Sequence, residues 1–232
     1  MGSLFNKFIN KFKFLIRPRH PIAALEIKNV ALRIASLGDG VFRKEGIQLE
    51  PGIIEDGEVK DKDKLVDRLR QLKKQFSPME KDKIPVIVVI PSAAVYTKVF
   101  NLPALAGSQG EEAVSLNLQS ISPIDFNSAY SDSELLSEST AENKLEFLGA
   151  FASKKIIDAY AEVLEKSGFM VIAVEFPALA IARALKQYAS GIDFSKPHVV
   201  VNVSSDGIDF MVLKNGNLYF DYFSPWKLVR GD

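Results

Sequence analysis

Few residues in this chain can do covalent or metal chemistry. There is no Cys, so thiolate nucleophiles, disulfides and Cys-held zinc are excluded. His20 and His198 are the only histidines, which removes multi-His metal sites and leaves a Ser-His-Asp triad few choices. Asp61, Asp63 and Asp67 lack the Gly and the terminal Glu of a calcium loop and read as a helix cap and its solvated face. Neither G-x-x-x-x-G-K nor G-x-G-x-x-G occurs. What remains is binding chemistry, and it starts at the N-terminus. Lys7, Lys11, Lys13, Arg17 and Arg19 come before the first acid of the chain. Leu4, Phe5, Phe8, Ile9, Phe12, Leu15 and Ile16 share one helical stripe that Asn6, Lys7, Asn10, Lys11 and Lys13 largely avoid. A helix in a membrane interface has this composition, with Leu4, Phe5, Phe8, Ile9 and Phe12 buried and Lys7 and Lys11 near the headgroups. Each such cation contributes about 1 kcal/mol at an anionic leaflet. An amphipathic helix packed on its own domain or on another protein reads the same way. Arg17-Pro18-Arg19-His20-Pro21 stops the helix in either case.

The body must supply the elements that position any further site. Of 232 residues, 47% are apolar, enough for a sizeable core. Lys plus Arg equals Asp plus Glu at 29 each, so the chain lacks the basic excess of a nucleic-acid reader, and no nucleic-acid partner is expected. No apolar run approaches 18 residues, which excludes a spanning helix in these residues. The pattern predicts strands over 22–28, 30–37 and 41–49, a short hairpin over 53–59, a helix over 62–76 capped by Asp61, and a strand over 85–90 buried on both faces. A mixed block follows: a strand over 95–102, a helix over 111–118, an antiparallel pair over 130–136 and 145–152, a helix over 153–167 stopped by Gly168, and a strand over 169–175. Pro177 opens a helix to Tyr188. Three strands close the chain, over 198–203, 208–213 and 218–223, the last two joined by Asn215-Gly216.

This order predicts an α/β core with an α+β insertion. The expected units are a basic amphipathic tail over 1–20, a core subdomain over 21–92 and 176–196, an insertion over 93–175, and the first strands of a second subdomain over 197–232. Three strands with no following helix to cover their apolar face read as part of a longer chain, and Trp226 is expected to be exposed there.

Several segments resemble a known family in order and spacing. Leu25 to Leu37 resembles a strand, phosphate turn and strand. Pro51-Gly-Ile-Ile-Glu-Asp-Gly-Glu-Val59, Val88-Val-Ile-Pro-Ser92, Phe100-Asn-Leu-Pro103, Ile121-Ser-Pro-Ile-Asp125 and the stretch from Ala150 to Ala184 follow in the same order. Together they resemble the PilM family of type IV pilus assembly proteins, over about residues 22–223. The resemblance implies an actin-like (ribonuclease-H-like) fold with an inserted subdomain of the FtsA or PilM type. It also implies ATP and Mg²⁺ held between two phosphate loops.

Both loops depart from that pattern. The first reads Glu26-Ile27-Lys28-Asn29-Val30, with no Gly to open the turn for a phosphate. The second has Asn202 where the family places Asp, and Ser204 where it places Gly, before Ser205, Asp206 and Gly207. Asn lacks the carboxylate that would hold a Mg²⁺-bound water. Glu26, Lys28, Asn29, Asn202, Ser204 and Asp206 are therefore expected to form a degenerate, inactive nucleotide site, with no cofactor bound. Bland readings stand beside this one: Glu26 as a strand end, Lys28 as surface, Asn202 and Asp206 as turn residues, His198 as a structural strand start.

The resemblance further implies a cytoplasmic adaptor, peripheral at the inner membrane. It would capture the N-terminal cytoplasmic tail of a PilN-type membrane protein in a cleft between core and insertion. The residues expected to line that cleft are Ile53, Ile54, Val59, Val95, Tyr96, Val99 and Leu102, with Glu55 matching a basic tail by charge. The alternatives are a cytoplasmic actin-like scaffold of a type II secretion protein of the GspL kind, and an active actin-like ATPase.

Overall fold

The computed structural model describes residues 22–38, 40–77, 82–104, 108–139 and 143–230. The amphipathic tail, with Leu4, Phe5, Lys7, Phe8, Ile9, Lys11 and Phe12, lies outside the described residues. No helix among the described residues is long and apolar enough to cross a membrane.

The first unit is a five-stranded sheet. β1 (Ala23–Ile27), β2 (Ala31–Gly38) and β3 (Val41–Gln48) form an antiparallel meander. A small hairpin, β4 (Ile54–Glu55) and β5 (Glu58–Val59), leads into α1 (Lys62–Phe76). Asp61 caps α1 by accepting the Lys64 N–H at 3.0 Å. The crossover returns the chain to β6 (Ile84–Val89), parallel to β1, and β6 in turn pairs in parallel with β10 (Phe169–Glu175). The order is β10-β6-β1-β2-β3, the strands of the expected core with β10 added at the β6 edge. Leu65, Leu69 and Leu72 of α1 pack on one face of the sheet with Tyr160, Val163 and Leu164 of α3 (Lys154–Lys166). Leu25, Leu32, Val86 and Val88 meet them there with no exposed surface.

An inserted unit rises from the end of β6. It holds β7 (Val95–Pro103), α2 (Ser108–Ile121), β8 (Ala129–Ser139) and β9 (Lys144–Ser153) in a second sheet of order β7-β9-β8. Leu118 of α2 sits so close to this sheet that a Cβ at Gly149 would lie 2.8 Å from its Cδ2. The third unit is the sheet β11 (His198–Val203), β12 (Gly207–Lys214) and β13 (Asn217–Pro225). Its hairpin turn has Asn215 and Gly216 at φ of 53° and 73°, the left-handed pair that an Asn-Gly sequence favours.

Three expectations change. The insertion ends at Ser153 and not at Glu175, because α3 packs beside α1 and β10 joins the five-stranded sheet. The C-terminal sheet does have a helical cover on one face: α4 (Pro177–Tyr188) packs Ala178 and Ala182 on Met211, Leu213 and Leu218. Trp226 is half-buried and begins a short helix, α5 (Trp226–Arg230), with its indole N–H donating to the Ser204 carbonyl at 3.0 Å.

Candidate functional site: two clefts of opposite character

The first cleft lies where the β1–β2 turn faces the β11–β12 turn. Glu26, Lys28, Arg33, Asn202, Ser204 and Ser205 line about 490 Å³. The fold thus brings together most of the residues expected to form a nucleotide site, from two ends of the chain. Their functional groups are spent on one another. Glu26 accepts from Arg33 at 2.8 Å, and Lys28 Nζ lies 3.5 Å from its other oxygen. Lys28 is only 8% exposed, so it is no surface lysine. Asn202 is a strand residue and not a turn residue, and its amide donates to Asp209 Oδ2 at 2.8 Å. Ser204 Oγ donates to the Gly207 carbonyl at 3.2 Å. Asp206 does not line the cleft; it accepts the Asn29 backbone N–H on its Oδ2 at 3.0 Å. The Asn29 turn amide holds a carboxylate, Ile27 and Val30 flank that turn, and the Asn202 amide is bound to Asp209.

The second cleft, of about 520 Å³, lies between the two sheets where the insertion meets the core. Val95, Ala150 and Ala152 of the inserted sheet face Ala173 and Val174 of β10 and Leu179 of α4 across it. Two features suit it to an extended peptide. β8, which contributes Tyr130, Ser131 and Asp132, and β10, which contributes Ala173, Val174 and Glu175, are each the edge strand of their sheet. An edge strand can accept another strand by backbone hydrogen bonding. The alanines on the floor leave room for the side chains of such a strand. The rim is polar. The Tyr130 hydroxyl donates to Asp158 at 3.0 Å, and this bond with the adjacent carboxylate charge holds the phenol pKa above its ordinary value. Arg183 pairs with Glu175 and approaches Glu134 at 3.8 Å.

Of the expected partner residues, only Val95 lines this cleft. Ile53 and Ile54 are 1% and 2% exposed in the main core, where the β4–β5 hairpin is pinned under α3, and they are unavailable to a partner. Val59 packs against the same core, Leu102 is buried under α2, and Val99 packs toward α4. Glu55 lies on that hairpin, away from the cleft. Tyr96 is exposed, but strand alternation sets it on the face of β7 that carries Phe100 and Leu102, opposite to Val95. Tyr130, Val174 and the alanines carry no chemical signal that sequence reading could weigh.

The family model described as type IV pilus assembly protein PilM matches residues 21–222. No curated protein matches the sequence. Among solved structures, a PilM–PilN type IV pilus biogenesis complex aligns with a TM-score of 0.76 at 16% identity, covering 92% of this chain and 64% of that one. This chain therefore spans less than two thirds of that relative. The cytoplasmic domain of EpsL, an inner membrane component of the type II secretion system of Vibrio cholerae, aligns with a TM-score of 0.55 at 12% identity, covering 89% of this chain and 71% of that one. These likenesses carry the fold. The family match runs from the start of the five-stranded sheet to the last strand of the third, and it establishes that the chain belongs to the PilM family of type IV pilus assembly proteins.

Proposed function

We propose that this protein is a cytoplasmic adaptor of the type IV pilus machine. In this reading it captures the N-terminal cytoplasmic tail of a PilN-type inner-membrane protein in the cleft between β8 and β10. The observation that carries it is the juxtaposition of two edge strands across an alanine-floored groove, in a fold shared with a PilM–PilN complex. Backbone pairing supplies affinity and the apolar floor supplies side-chain selection. Asp132, Glu134, Glu175 and Asp158 outnumber Arg183 and Lys154 around the groove, which favours a basic, membrane-proximal tail by charge. Capture of such a tail places the protein at the cytoplasmic face of the inner membrane, and the basic tail over 1–20 adds affinity for that surface. The first cleft hydrolyses no nucleotide in this reading, since each group that would face phosphate or metal is already bound within the protein.

Titration calorimetry with a synthetic PilN-type N-terminal peptide tests the adaptor reading. Saturable one-to-one binding is expected, and its absence would remove the reading. Mg-ATP is the comparator. A ligand at a hundredfold excess over its Kd adds about 2.7 kcal/mol of stability, and no such gain is expected with nucleotide. The similarity to the EpsL cytoplasmic domain supports a second reading, a type II secretion scaffold with the same cleft. Tighter binding of a cytoplasmic peptide from a type II secretion component than of the PilN-type peptide would favour that one.

A further inference from the structure

The two turns that flank the first cleft are tied directly to each other. The β1–β2 turn still presents a backbone N–H, that of Asn29, toward the opposite turn, and a carboxylate from 177 residues away receives it at 3.0 Å. Asp206 is held for this contact. Its own N–H donates to Ser204 Oγ at 3.3 Å, the Ser205 hydroxyl donates to its Oδ1 at 3.1 Å, and its carbonyl accepts the Trp226 N–H at 3.3 Å. On the far side, Asn29 Oδ1 accepts the Gly57 N–H at 3.2 Å, and the Gly57 carbonyl accepts the buried Tyr160 hydroxyl at 2.9 Å. A continuous chain of hydrogen bonds thus runs from the third sheet, through the β1–β2 turn and the β4–β5 hairpin, into α3. A parallel contact joins the same two units, with Lys227 Nζ at 2.7 Å from both oxygens of Asp56.

We propose that the Asp206 carboxylate is a resident anion: it fills the position a bound phosphate would take on the Asn29 amide and clasps the third sheet to the core without any ligand. A charged acceptor on a turn N–H gives a stronger bond than a neutral one. Supplied by the protein itself, it makes the closed arrangement of the two units independent of nucleotide. This inference does not depend on the peptide cleft, because the two sites share no residue.

Amide hydrogen exchange of the full chain tests it. In Asp206→Ala, exchange at Asn29 is expected to quicken about tenfold or more, the loss of one charge-assisted bond. Gly57 should follow, while amides inside β1 and β6 keep their wild-type rates. Asp206→Asn keeps the shape and one neutral acceptor, so its exchange should fall between the two. That variant decides the matter if the alanine variant fails to fold. Unchanged Asn29 exchange in Asp206→Ala would overturn the clasp. An Asp206→Asn protein indistinguishable from wild type would overturn the role of charge. Slower Asn29 exchange in wild type on adding Mg-ATP would show that a nucleotide displaces the carboxylate, and would overturn the ligand-free closure.

Discussion

The two clefts have nearly equal volumes, about 490 and 520 Å³, yet they differ in what their walls can offer. In the first, an acid, two cations and an amide converge, and each is bound to a neighbour on the same chain. In the second, alanine and valine line the groove with larger apolar residues such as Ile90, Ile157 and Leu179, beside two strand edges whose sheets end there. The polar groups of the first cleft are thus paired across its own walls, whereas the second combines an apolar lining with a polar rim. An internally satisfied polar cluster gains little from a ligand, since any new bond must replace an existing one. An edge strand gains a full set of backbone bonds when a peptide arrives.

That contrast can be broken most severely at Gly207, which starts β12 beside the first cleft. A Cβ there would clash with the Ser224 carbonyl and lie 2.8 Å from Phe223 Cε2. Gly207→Ala is expected to destabilise the chain by about 3 kcal/mol or more. Chemical denaturation reads this directly, and a smaller loss would mean that the third sheet yields easily.

The second cleft is tested next. Val174 is 44% exposed on β10 and lines the groove, so Val174→Lys should leave the fold intact. It should weaken the peptide by about tenfold to a hundredfold, or about 1.4–2.7 kcal/mol. Tyr96→Lys changes a residue of similar exposure on the face of β7 away from the groove, and its affinity should stay within about twofold of wild type. The reverse pattern in calorimetry would move the partner to the α2 side of the inserted sheet.

The smallest effect concerns Asp221, which accepts the Thr97 hydroxyl where β13 meets the insertion. Burial, and then the nearby Asp209 charge, raise its pKa above the ordinary carboxylate value, against the lowering influence of Thr97. A carboxyl raised on folding contributes most below its unfolded pKa, and that contribution is lost as pH rises through the folded value. Asp221→Asn should therefore melt a few degrees above wild type at pH 7, with the difference closing as pH falls from the raised folded value to the ordinary aspartate value. Melting curves across that window check the sign. A difference that instead grew in acid would mean that the carboxylate is stabilised by folding.

Much of this architecture was legible in the residues. Asp61, Pro177, Gly168 and Asn215-Gly216 mark element ends through local chemistry, and the structure has its elements there. The family resemblance also anticipated that the segments around Glu26 and Asn202 would meet. What sequence reading missed depends on long-range pairing. Whether Phe169–Glu175 belongs to the insertion or the core is decided by its pairing with β6, and no local pattern names a strand's partner. Ile53 and Ile54 looked like a partner surface because an apolar hairpin reads alike whether it is covered or bare, and α3 covers it. Tyr96 and Val95 are neighbours in sequence but face opposite ways, and only the position of α2 shows which face is the groove. The Asp206 contact spans 177 residues and involves a backbone amide, which leaves no trace in side-chain identity.

The central claim is that the β8–β10 groove receives an extended peptide. Chemical-shift mapping of the labelled chain against a PilN-type N-terminal peptide tests it most directly. The account predicts saturable shifts clustered at 130–132 and 173–175, with little change at Glu26, Asn202 and Tyr96. Shifts clustered at the first cleft or along the Tyr96 face, or none with excess peptide, would contradict it.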